Sequence, residues 1–132
     1  LLLAALRTGV YAEHVQRLCT AYAAKCQATL DALEEFLGDY QPGRTHWTRP
    51  AGGLYVWLTL PEEIDTGRDG PLFSRAIQEG MLYVPGAFCF GPDPARTAPR
   101  NTIRLSYGVA GPADIREGIR RLATAVRAVA GA

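Results

Sequence analysis

Lysine is all but missing from this chain: of its fourteen basic residues only Lys25 is a lysine, the rest being arginine. With a net charge of +1, that scarcity leaves no basic stripe for a nucleic-acid backbone. Histidine is as scarce. His14 and His46 stand alone, with no Cys or His partner at metal-ligand spacing, and no metal site is expected. Of the three cysteines, Cys19 and Cys26 are seven residues apart, two helical turns, which is too far for a disulfide. An odd cysteine count without a secretory leader points to a reducing cytoplasm. Long apolar runs are missing too. Leu1 to Leu6 falls well short of the roughly 18 residues of a membrane span, so no membrane partner is expected. That apolar start, without a methionine, reads as a piece of a larger chain. The excess of Arg and Ala has the look of a GC-rich bacterial genome.

The 132 residues suffice for one domain with one modest core, and 48% hydrophobic against 20% charged suits a globular fold. Residues 11 to 37 read as one long helix. Val15, Leu18, Tyr22, Cys26, Leu30, Leu33 and Leu37 make its apolar stripe, with Glu13, Arg17, Lys25 and Glu34 off it. Lys25 sits among Ala and Gln, a solvated position. Gly38 suits a C-cap, and Leu1 to Arg7 reads as a short separate helix stopped by Gly9. Arg44 to Thr48 and Leu54 to Leu60 read as strands around the Pro50-Ala51-Gly52-Gly53 turn. A helix starts at Pro71 with Phe73, Ala76 and Ile77 buried, and Gly80 caps it. Met81 to Pro85 is a short strand, and Gly86 to Arg100 is loop. Gly111-Pro112 opens a last helix with Ile115, Ile119, Leu122, Val126 and Val129 inward. Helix, two strands, helix, two strands and helix predict an α+β, two-layer sandwich, with three or four mostly antiparallel strands covered by helices on one face.

The segment Asn101-Thr102-Ile103-Arg104-Leu105-Ser106-Tyr107 sets an arginine inside a β-branched, apolar strand. Ile103, Leu105 and Tyr107 share one face, and Thr102, Arg104 and Ser106 the other. A guanidinium on a rigid strand suits a carboxylate, which it grips through two parallel hydrogen bonds. An arginine on a solvated face, or one paired with Asp or Glu inside the domain, remains open on the strand alone. Elsewhere the local signals are structural. Gly52-Gly53 precedes a strand and not a helix, so it is a turn rather than a phosphate loop. Ser74 and Ser106 lack a nucleophile elbow. Trp47 and Trp57 read as core, and Phe88 and Phe90 as a pocket rim or as loop packed on the sheet.

Three stretches, taken together, carry a resemblance. Pro50 to Trp57 with Leu60-Pro61, then Gly80 to Val84-Pro85-Gly86, then Asn101 to Ser106 resemble the C-terminal small domain of fold-type I pyridoxal-phosphate aminotransferases. The closest look is of class I/II, the branch holding 2-aminoadipate and kynurenine aminotransferases. The resemblance implies residues 1–10 as the tail of a large domain and 11–132 as the small domain. It implies Arg104, Tyr55 and Asn101 as substrate-binding: Arg104 in a bidentate bridge to the α-carboxylate, Tyr55 near the substrate entrance. The family's Schiff-base lysine, pyridinium-partnering Asp, ring-stacking aromatic and phosphate-binding Ser/Arg cluster belong to the large domain, and nothing here matches them. No catalytic or cofactor-binding residue is therefore expected in this chain. Pyridoxal phosphate belongs to the full-length enzyme, with none expected on this fragment. The implied partners are an amino acid, a 2-oxo acid, the large domain and a second subunit in a homodimer. Winged-helix transcription regulators carrying an aminotransferase-like sensor domain are the alternative, along with a truncated, non-catalytic fragment. The Asn-x-Ile-Arg pattern favours the enzyme.

Overall fold

The computed structural model describes Leu3, Leu6, residues 9–91 and residues 97–131. The short helix expected over Leu1 to Arg7 lies mostly outside them. A 28-residue helix, α1 (Val10–Leu37), leads into β1 (His46–Trp47), β2 (Tyr55–Thr59), α2 (Pro71–Gln78) and β3 (Val84–Pro85). A single 3-10 turn, Gly86–Cys89, precedes β4 (Thr102–Ser106), and α3 (Pro112–Ala130) ends the described chain. The strands form one antiparallel sheet in the order β1-β2-β4-β3. The α+β arrangement expected from the sequence is the one found.

Alternation decides the two faces of the sheet. Val56, Leu58, Leu60, Ile103, Leu105 and Tyr107 are all buried toward the helices. Opposite them lie the second half of α1, through Leu30, Leu33 and Leu37, and the inner stripe of α3, through Ile115, Ile119, Leu122 and Val126. Burying each such side chain contributes about 1.5–3 kcal/mol, so this layer holds the fold together. Pro112 at the first helical position starts α3, and the Ile115 N–H closes its first turn on Gly111 O at 2.9 Å. Arg116 of α3 pairs with Glu35 of α1, and Arg127 with Asp39 just past the end of α1 at 2.6 Å. Both pairs are exposed and add little.

Three local expectations change. The α1 stripe is buried only from Thr29 and Leu30 on, while Val15 and Leu18 are exposed. The sheet is too narrow to cover a 28-residue helix, and the uncovered half borders an open groove of about 540 Å³ against the Pro50–Gly53 turn. In α2 the buried pair is Leu72 and Ala76, and Ile77 is 53% exposed. Leu72 and Ala76 are four residues apart on one face, and Ile77 is turned about 100° away from it. Met81 to Tyr83 do not extend β3, because the Met81 N–H is used on Ala76 O at 2.8 Å. No helix among the described residues is long and apolar enough to cross a membrane.

Candidate functional site

The site is built on β4, which is flanked on both sides. Arg104 lies directly across from Trp57 of β2 and from Val84 of β3, so its side chain projects from the middle of the sheet face away from the helices. The same face carries Tyr55 and Trp57. Tyr55 pairs with Ser106, one step diagonal to Arg104, and the guanidinium carbon lies 4.5 Å from the centre of the Tyr55 ring. That is a cation–π contact between the two side chains. On the neighbouring position Trp57 meets Phe90 edge-on, with ring centroids 5.9 Å apart.

Arg104 is half-buried, and its Nε is fully buried with no hydrogen-bond partner among the described residues. No ion pair among the described residues includes it. Arg104 is thus no arginine in free solvent, and among the described residues no carboxylate neutralises it. A buried guanidinium nitrogen left unpaired costs free energy. Beside Arg104, where the chain from Gly80 to Tyr83 diverges from β4, a cleft of about 330 Å³ opens between Leu82, Leu105, Asp114 and Ile119.

Asn101 is placed differently. Its Nδ2 donates to Leu60 O at 2.6 Å, and Leu60 N–H donates back to Asn101 O at 2.9 Å. The residue closes the entry of β4 against the end of β2, about 10 Å along the strand from Arg104. The structure therefore brings Tyr55 and Arg104 together and leaves Asn101 at the far end of the same strand. Further tethers fix that end: Thr66 Oγ1 donates to Thr102 O at 2.7 Å, and Tyr83 hydroxyl donates to Thr66 O at 3.1 Å. Gly86 packs on Thr102 so closely that a Cβ there would lie 2.1 Å from Thr102 Oγ1.

Two side chains matter in ways that local sequence did not signal. Lys25, expected in solvent, donates to Gly108 O at 3.0 Å and Val109 O at 3.2 Å, holding the loop that follows β4. Tyr107, placed by the sequence only on the face of Ile103 and Leu105, donates its hydroxyl to Gly53 O at 2.9 Å, and burial pushes its phenol up to about 12. Both bonds join residues more than fifty positions apart, and no short motif announces such a pair. His14 and His46 are exposed, as are Cys19 and Cys89. Among the described residues no cluster of His, Cys, Asp and Glu is placed to hold a metal ion.

Pyridoxal phosphate requires a lysine amine free to condense with its aldehyde, together with a cradle for its phosphate. The single lysine is committed to two carbonyls, and the paired glycines open into β2 rather than into a helix N-terminus. The described residues do not fit that cofactor.

No protein-family model matches the chain. It is 38% identical over 119 residues to an aromatic-amino-acid aminotransferase of Thermococcus litoralis, covering 90% of this chain and 26% of that protein. In structure it is similar to the alpha-aminoadipate aminotransferase of Thermus thermophilus, complexed with N-(5'-phosphopyridoxyl)-L-leucine. The TM-score is 0.80 at 35% identity, over 96% of this chain and 29% of that one. It is also 38% identical over 122 residues to the helix-turn-helix transcriptional regulator TauR of Rhodobacter capsulatus, covering 92% of this chain and 23% of the regulator. The chain thus spans about a quarter of the length of the curated relatives it matches.

Proposed function

We infer that this chain, which belongs with the C-terminal small domains of fold-type I aminotransferases, serves as the carboxylate-gripping half of an amino-acid transaminase. Residues 11–132 are the small domain and residues 1–10 the tail of the large one. The whole protein transfers an amino group between an α-amino acid and a 2-oxo acid, using pyridoxal phosphate held by residues outside this chain. When bound, that cofactor supplies the electron sink for the reaction. Arg104 takes the substrate α-carboxylate through two parallel hydrogen bonds from its guanidinium, and Tyr55 holds the guanidinium in place. Asn101 supports them by fixing the start of β4. A homodimer in a reducing cytoplasm completes the reading.

One observation carries it: a half-buried guanidinium set 4.5 Å from the centre of an aromatic ring and paired with no carboxylate among the described residues. The test is turnover by the full-length protein, with an α-amino acid and with the matching amine that lacks the carboxylate. A charge-assisted bond of this kind is worth about 1.5–3 kcal/mol, so Arg104→Ala lowers kcat/KM for the amino acid about ten- to a hundredfold. The amine is affected far less. Arg104→Lys keeps the charge, loses the planar fork, and still raises KM. Wild-type efficiency in Arg104→Ala defeats the reading.

The similarity to TauR supports a second reading, in which the same domain senses an amino acid or the cofactor for a DNA-binding partner domain. A full-length protein that binds an amino acid through Arg104 but produces no 2-oxo acid supports the sensor.

A further inference from the structure

We propose that the Tyr107 hydroxyl is a positioning group for substrate recognition, pinning the glycine turn that places the Tyr55 ring against Arg104; this rests on the carboxylate role of Arg104 inferred above. Tyr107 is 1% exposed and sits on the helix-facing side of β4, three residues beyond Arg104. It holds the end of the Pro50–Gly53 turn at two consecutive carbonyls: its hydroxyl donates to Gly53 O at 2.9 Å, and its N–H donates to Leu54 O at 3.1 Å. Gly53 has a φ of +90°, a left-handed conformation that few other residues adopt and that a loosened turn would readily leave.

Tyr55 follows that clamp directly, and the residue is 47% exposed. Its place over the guanidinium is set mainly from the backbone behind it. The other end of the linkage is fixed as well, because Lys25 of α1 holds Gly108 O and Val109 O just beyond Tyr107. A path of direct bonds therefore runs from α1 through the end of β4 and the glycine turn to Tyr55 and Arg104. Burial keeps the Tyr107 proton in place across the working pH range, so the hydroxyl always donates.

The experiment uses Tyr107→Phe in the full-length protein, which keeps the ring in the core and removes one donor. The expected result is a roughly three- to tenfold higher KM for the α-amino acid, with kcat little changed and the KM for the matching amine unmoved. The Kd for propanoate, a bare carboxylate read by competition, rises by the same factor. Tyr40→Phe is the comparator. It removes the hydroxyl of another buried tyrosine, which accepts from Gln41 Nε2 at 3.5 Å away from β4, and does not move the amino-acid to amine ratio. The inference is overturned if Tyr107→Phe leaves that ratio and the propanoate Kd at wild-type values, or if both substrates weaken together. Arg104→Ala in the same assays separates the two claims. If it leaves the ratio intact, the carboxylate reading fails and takes this one with it. If it collapses the ratio while Tyr107→Phe does not move it, only the positioning role falls.

Discussion

A single methyl group added at Gly86 tests how tightly the arginine strand is clamped. The Cβ of Gly86→Ala would lie 2.1 Å from Thr102 Oγ1 and 2.8 Å from both Thr102 Cβ and Thr102 O. The hydroxyl can rotate away, but the carbonyl cannot, because Thr66 Oγ1 holds it at 2.7 Å. Either the Gly86–Cys89 turn lifts off β4 or the Thr66 bond breaks. Overpacking of this kind costs about 1–3 kcal/mol. At roughly 3–5 °C per kcal/mol for a chain of this size, Tm falls by about 3–15 °C. Thermal unfolding followed by circular dichroism reads this directly. Gly52→Ala is the control, since its Cβ would meet nothing within 4 Å, and its Tm stays within about 2 °C of the parent. Adding Thr102→Ala to Gly86→Ala recovers only part of the loss, because the carbonyl clash remains. A Gly86→Ala chain that melts with the parent refutes the contact and with it the idea of a rigidly seated β4.

Gly118→Ala acts in the opposite direction. Gly118 lies inside α3 with nothing within 4 Å of an added Cβ, so the helix gains about 0.5–1 kcal/mol, and a lower Tm contradicts this. At high pH, Tyr107 and Tyr83 should ionise late, because burial raises both above the ordinary 10.0. A proton held more tightly in the folded chain means that stability is intact below pH 10 and falls as pH rises toward about 12. Phenolate absorbance at the tyrosine edge, read beside urea midpoints, checks this. All tyrosines titrating together near 10 with flat midpoints would contradict it, and Tyr107→Phe should shallow the slope.

Much of this was legible in the sequence for a definable reason. Where one element carried its own period, the reading held: the alternation through Val56, Leu58 and Leu60, the stripe of α3 from Ile115 to Val126, and the Arg104 strand with its apolar partners inward. The reading slipped where burial depends on what lies opposite. The apolar stripe of α1 runs evenly from Val15 to Leu37, yet only its second half has a sheet to lie on. Ile77 shares the apolar character of Leu72 and points the other way. At the site, Tyr55 and Arg104 meet because β2 and β4 pair in a register that no local pattern fixes. The bonds from Lys25 to Gly108 and from Tyr107 to Gly53 are products of tertiary packing, and solvent was the reasonable expectation for a lone lysine among alanines.

The central claim is that the Arg104 guanidinium receives the substrate carboxylate, and its Nε–H proton can be watched directly. In full-length protein labelled with 15N-arginine, the Arg104 Nε–H signal is assigned by its loss in Arg104→Lys and followed while a 2-oxo acid is titrated in. The account predicts a shift of that signal saturating with the binding isotherm, as expected when a carboxylate pairs with the same guanidinium. A 2-oxo acid that saturates the protein while the Arg104 Nε–H signal does not shift contradicts the account.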